Sequence, residues 1–173
     1  MWGQRAAGKT LFSAGNYKDN AGSLSASRSL DLIFFAPLRE EILHRYFMLH
    51  IIRNRVGPWP SVAIGGVFFG VVHLFNAYGA RYSASYVYVQ VLQAALIGCF
   101  LSSRMLLRAP FNGIIEPLLL HIVNNLFSSA LPSSTDLDFS DWFVSLSLAM
   151  TIVVFSTLLI VDLIALRRPV APP

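Results

Sequence analysis

The chain has 173 residues, 55% of them hydrophobic and 13% charged, with a net charge of +4 and a mean hydropathy of +0.59. Soluble domains carry about a quarter charged residues, and so apolar a chain would expose large patches in water, which excludes a soluble globule. The basic residues flank apolar segments as membrane topology puts them and form no stripe, which excludes nucleic acid as partner.

Residues 1–29 are polar, rich in Gly, Ala and Ser, and carry Arg5, Lys9, Lys18 and Arg28. They contain Gly3-Gln4-Arg5-Ala6-Ala7-Gly8-Lys9-Thr10, a letter match to the phosphate-binding loop. Such a loop works only between a buried strand and a helix N-terminus. Only Met1 and Trp2 precede it, so the match is refused and no nucleotide is expected. The segment reads as a basic surface tail without a signal peptide.

Five segments then meet the membrane-helix criterion of about 20 mostly apolar residues, some with polar interruptions: 30–52, 61–75, 85–105, 111–131 and 142–166. The expected fold is all-α, a polytopic transmembrane bundle over 30–166 with a basic, Pro-rich tail at 167–173. The first segment holds Glu40, Glu41, His44 and Arg45 at membrane depth, where charge is tolerated mainly facing a protein interior or wet cavity. Residues four apart share a helix face, so Glu41 pairs with Arg45, and Glu40 stacks with His44. The run Asn54 to Pro60 reads as a turn cluster. In the second segment Gly65, Gly66 and Gly70 predict close helix packing, and Phe69 and His73 share a face. The third segment contains Cys99, the one cysteine, read as a small core residue. Ala109-Pro110 opens the fourth segment, where His121 and Asn125 share a face, Asn124 lies beside them and Glu116 reads as interfacial. A loop with Asp136, Asp138 and Asp141 precedes the fifth. If all five span, Arg53, Arg55, Arg104, Arg108, Arg167 and Arg168 share one side, which the positive-inside rule makes cytoplasmic.

A glutamate and a histidine can orient and deprotonate a water. A second histidine and an amide can donate hydrogen bonds to a developing oxyanion. Those are the parts of peptide-bond hydrolysis, spread over three helices. There is no H-E-x-x-H zinc motif and no G-x-S-x-G elbow. Glu40, His73 and His121 could also form a two-histidine, one-carboxylate zinc site. The metal-free reading, with no cofactor, ranks above it, because Asn125 suits an oxyanion and is a poor zinc ligand.

The order Glu40-Glu41-x-x-x-Arg45, Phe69-x-x-x-His73 and His121-x-x-x-Asn125 resembles the CPBP family of CAAX proteases and bacteriocin-processing membrane proteins. Ala36-Pro37 and Phe127 also resemble family positions, and the resemblance covers about residues 30–131. It implies a type II CAAX prenyl endopeptidase that removes the last three residues of a prenylated C-terminus. By that resemblance Glu40 and His73 activate water, His121 and Asn125 stabilise the oxyanion, and Glu41, Arg45, His44 and Asn124 support them. The implied partners are membrane lipids and a prenylated protein C-terminus. The implied location is the endoplasmic reticulum membrane in a eukaryote or the plasma membrane in a bacterium. Further helices usually precede the glutamates in that family, where here the polar tail does, and His44 replaces an apolar or aromatic residue. The alternative is a non-catalytic scaffold or immunity-type protein of the same family, or a related membrane protease with another substrate. A transporter ranks third, since the segments show no inverted repeat.

Overall fold

The computed structural model describes residues 29–75, 83–108, 113–130 and 138–167. The N-terminal segment with its phosphate-loop match, the connection at 76–82, Ala109-Pro110, Asp136 and the Pro-rich tail lie outside the described residues, as does the Phe127 side chain. Helix α1 is one continuous run over 31–56, built from a π turn at Asp31–Phe35, α-helix at Ala36–Glu41, a second π turn at Ile42–Met48 and α-helix at Leu49–Val56. It is followed by α2, Pro58–Val72, α3, Ala84–Leu107, α4, Ile115–Ala130, and α5, Trp142–Leu166. The described residues are helical throughout apart from short turns and bends, and contain no strand, so the expected all-α bundle is what forms.

The first helix departs from the uninterrupted α-helix expected at 30–52. Pro37 has no amide proton, so the ladder cannot run regularly through it, and the Ala36 amide reaches back five residues to the Asp31 carbonyl. The second wide turn ends in the same way, with the Leu49 amide donating to the His44 carbonyl. The turn cluster expected from Asn54 to Pro60 contracts to Gly57 alone. Its φ of 84° and ψ of 176° are open essentially to glycine, and Pro58 then takes the first helical position, where a missing N–H costs nothing. Helix α4 begins at Ile115, later than the expected 111, with Pro117 in its first turn. Ser83 caps α3, its hydroxyl accepting from the Tyr86 amide at 3.2 Å. Asp141 caps α5, accepting from the Phe143 amide at 2.8 Å. In the exposed loop just before it, hydrogen bonds from Ser140 hold the Asp138 carboxyl below the usual carboxylate range.

Polarity runs from the inside out. Glu41, His44, Arg45, Ser61, Ser102, Ser103, His121 and Asp162 are buried, while large apolar side chains such as Leu43, Phe47, Leu92, Trp142 and Val153 are exposed. A bundle that hides charge and displays leucine is built for lipid. Among the described residues, three stretches are long and apolar enough to cross a membrane: Pro58–Phe75, Ala84–Leu107 and Trp142–Leu166. Helices α2 and α3 meet through the glycines. A methyl on Gly70 would lie 2.7 Å from the Ala95 Cβ, and one on Gly66 would collide with the Cys99 Sγ. That seam is the close approach the glycines predict, and Cys99 is a packing residue within it. At one end of the bundle, Arg167 at the close of α5 lies over the Trp59 ring, its Cζ 4.1 Å from the centroid. Arg104 and Arg108 close α3 against Glu116 in the first turn of α4.

Candidate active site

The second wide turn of α1 carries the charged run. Glu41 and Arg45 are 0% and 1% exposed and form an ion pair at 3.1 Å, as their four-residue spacing predicts. The Phe69 ring of α2 covers the guanidinium, its centroid 4.1 Å from the Arg45 Cζ, a cation–π contact strengthened by burial. His44, expected beside Glu40, turns its ring onto Phe68 and Phe69, with centroids at 5.8 and 5.2 Å. Those two rings of α2 give the imidazole an apolar surface to pack on.

Helix α4 brings His121 against both glutamates. Its Nδ1 lies 2.8 Å from the Glu41 Oε1, and its Nε2 lies 3.6 Å from the Glu40 Oε2. The first is a hydrogen bond. The second is too long for one. A carboxylate can only accept, so Nδ1 carries the proton in that bond, which fixes ring orientation and leaves Nε2 facing Glu40. Glu41 therefore does more than hold Arg45, the role that helical spacing alone gives it: it is a buried acceptor joining α1 to α4. Glu40, 37% exposed at its side chain, is the outward member of the pair.

Asn125 donates its Nδ2 to the Leu32 carbonyl at 3.1 Å. In a five-residue ladder that carbonyl would take the amide proton of residue 37, which is proline, so Asn125 supplies the missing donor. An amide nitrogen has two protons, and Leu32 takes one. Asn124 lies beside it, half-buried. His73, at the end of α2, gives its Nδ1 proton to the Phe69 carbonyl at 2.9 Å and meets the Phe69 ring edge-on at 5.0 Å. The Phe69 ring also meets His121 at 5.8 Å. Phe69 is thus the buried hub on which three histidines and Arg45 pack, a role the F-x-x-x-H spacing signals only as a shared face with His73.

The structure therefore brings Glu40, Glu41, Arg45 and His121 into direct contact, links His73 and His44 to them through Phe69, and ties Asn125 to α1. Among the described residues no three His, Cys, Asp or Glu side chains gather as a metal ion needs. Six buried polar atoms of this cluster, Glu40 Oε2, Glu41 Oε2, His44 Nδ1 and the three Arg45 nitrogens, have no hydrogen-bond partner.

A second polar group escaped the sequence reading. Glu116, expected at the interface, accepts from Arg104 Nε at 2.8 Å and from Arg108 Nε at 3.0 Å. Asp162, buried in the otherwise uncharged α5, accepts from Arg104 Nη1 at 3.1 Å. The four-residue step from Arg104 to Arg108 was the available signal for a shared acidic partner.

A family model described as type II CAAX prenyl endopeptidase Rce1-like matches residues 23–127, more than half the chain and every residue of the cluster around Glu41. No curated protein and no solved structure matches the chain. With its apolar, inside-out bundle and that match, this integral membrane protein belongs to the Rce1-like family of type II CAAX prenyl endopeptidases.

Proposed function

We propose that the chain is a glutamate-dependent intramembrane endopeptidase that removes the terminal tripeptide from prenylated CAAX proteins. The observation that carries this reading is the position of His121 between two glutamates: one nitrogen held by buried Glu41, the other 3.6 Å from the partly exposed Glu40. A gap of that length is one that a water or a substrate oxygen can bridge. Glu40, with His73, takes the proton from the attacking water. His121 and Asn125 donate hydrogen bonds to the oxyanion of the tetrahedral intermediate. Glu41, charge-balanced by Arg45, holds His121 in register, and His44 and Asn124 complete the surroundings. No cofactor enters the reaction. The substrate is a lipidated C-terminus presented from the bilayer, with the arginine end of the bundle on the cytoplasmic side. The membrane is that of the endoplasmic reticulum in a eukaryote and the plasma membrane in a bacterium.

The test is release of the terminal tripeptide from a farnesylated CAAX peptide by the full chain in liposomes. The parent releases it; Glu40→Gln, which keeps shape and removes basicity, loses nearly all turnover while still folded and inserted. Equal cleavage by Glu40→Gln would overturn the assignment of the base. A folded parent that cleaves no such peptide would favour a second reading, a non-catalytic scaffold. What favours that reading is that His73 and Asn125 each spend a hydrogen bond on a backbone carbonyl, which is all that packing requires.

A further inference from the structure

Helix α4 carries His121 and Asn125, yet it is short and packs chiefly against α1 and α3. The grip from α1 is the Glu41–His121 and Leu32–Asn125 contacts. The grip from α3 is a chain of charge that ends in α5. Asp162, 4% exposed, accepts from Arg104 Nη1 at 3.1 Å and lies 2.7 Å from the Ser103 hydroxyl, whose one proton it shares with the Phe100 carbonyl, also at 2.7 Å. Arg104 then donates its Nε to Glu116 at 2.8 Å. Glu116 precedes His121 by five residues, which at 100° per residue sets them about 140° apart around α4. The helix is thus held on two sides, and two such holds together fix its rotation and its rise.

A buried aspartate in an apolar helix is costly unless paired. Apolar packing against α3 would anchor α5 in lipid without it. What the carboxylate adds is direction: with one face of the Arg104 guanidinium committed to Asp162, the other is aimed at Glu116 in the planar, two-sided manner that only arginine allows.

We propose that Asp162 and Arg104 are positioning residues: through Glu116 they set α4 so that His121 Nε2 faces Glu40. Helix α5 lies beyond the matched residues 23–127, and the clasp makes it part of the working unit. The kinetic consequence rests on the proposed peptidase reading; the geometric consequence does not.

The experiment uses the full chain, labelled with 15N-histidine, in lipid nanodiscs. The four histidines are assigned by comparison with a His121→Gln sample. In Asp162→Asn and Arg104→Gln the His121 Nδ1 resonance should move, and kcat on the farnesylated peptide should fall about 3- to 30-fold, the range for coupled residues off the site. KM should stay within about twofold, since substrate binding is untouched. Arg104→Lys, which keeps the charge and loses the two-sided geometry, should recover part of the loss. A clasp that only holds the bundle together would lower the melting temperature and leave the His121 resonance and kcat unchanged; that result overturns the proposal. If Asp162→Asn and Arg104→Gln do not insert, Ser103→Ala, which removes the hydroxyl that Asp162 shares with the Phe100 carbonyl, is judged on the same two readouts. A parent without peptidase activity refutes the proposed function, and the His121 resonance then decides the clasp alone.

Discussion

At the arginine end, Asp162 and Glu116 each have both carboxylate oxygens hydrogen-bonded. Between α1, α2 and α4, one buried Glu41 oxygen takes both the Arg45 ion pair and the His121 hydrogen bond. Both clusters set acids against arginines, and burial separates them: Arg104, Glu116 and Arg108 are 22%, 31% and 55% exposed at their side chains, while Glu41 and Arg45 are sealed. A polar cluster whose groups satisfy one another rigidifies what it joins, and the more deeply buried pair is the costlier one to break from one side. In the clasp the balance of two acids and two arginines closes within the chain. In the Glu41 cluster, two carboxylates meet one guanidinium and an imidazole.

The sharpest way to break that contrast is Glu41→Gln. It strands Arg45 as a buried charge without a counter-ion, and breaking a buried pair from one side costs about 3–5 kcal/mol. Unfolding of the full chain in detergent, followed by helicity against added SDS, should show a loss of that order. Removing both charges together, as Glu41→Leu with Arg45→Met, should recover most of the stability. Activity should stay low in the double variant, because His121 has lost its acceptor. A Glu41→Gln chain as stable as the parent would mean the cluster is well hydrated, and the contrast with the clasp would collapse.

Asn125→Ala asks whether the tether to Leu32 is the whole of that residue's work. Loss of one oxyanion donor lowers turnover by about 10²–10³. Loss of an interhelical hydrogen bond in a membrane costs about 1 kcal/mol of stability. Both should be seen: a fall of two to three decades in kcat in a chain whose unfolding midpoint barely moves. A kcat that falls only in proportion to the folded fraction would leave Asn125 as a packing residue.

The helices were legible because lipid demands long apolar runs, and α5 was legible to its ends, since Asp141 and Arg167 bound it on either side. The Glu41–Arg45 pair was legible because four residues is one helical turn. The glycine seam of α2 was legible because a missing Cβ has few other uses on an apolar helix. The π turns of α1 were not: hydrophobic period does not record which carbonyl an amide reaches, and Pro37 was the one local hint. The contacts that build the site were hidden for a plainer reason. Glu41 meets His121 across 80 residues and Asn125 meets Leu32 across 93, and spacing says nothing about such pairs. Asp162 shows the same limit, because its partners come from α3, about 60 residues away in the chain.

The seam between α2 and α3 joins the two clusters, since α2 carries Phe69 and His73 and α3 carries Arg104. Gly70→Val tests how stiffly it does so. The added atoms meet the Ala95 Cβ and the Val91 carbonyl, each 2.7 Å from where the first methyl carbon would sit. Overpacking of this kind costs about 1–3 kcal/mol. The unfolding midpoint should fall accordingly, and the His73 resonance should shift more than that of His50, which is exposed on α1. Equal stability would show that the helices separate easily, and that the clusters are independent.

The smallest effect should come from Arg108→Gln, and it tests the contrast from the closed side. Arg108 is 55% exposed at its side chain and shares Glu116 with Arg104. Removing its charge leaves Glu116 paired, so no buried group is stranded. An exposed pair is worth about 0.2–1 kcal/mol and is screened by salt. The difference between parent and variant should therefore be small at low salt and vanish at high salt, where Glu41→Gln should keep its full cost, because its pair is shielded from mobile ions. A large, salt-independent loss in Arg108→Gln would show that the clasp closes only with all four charges present, and would move Arg108 from its rim to its core.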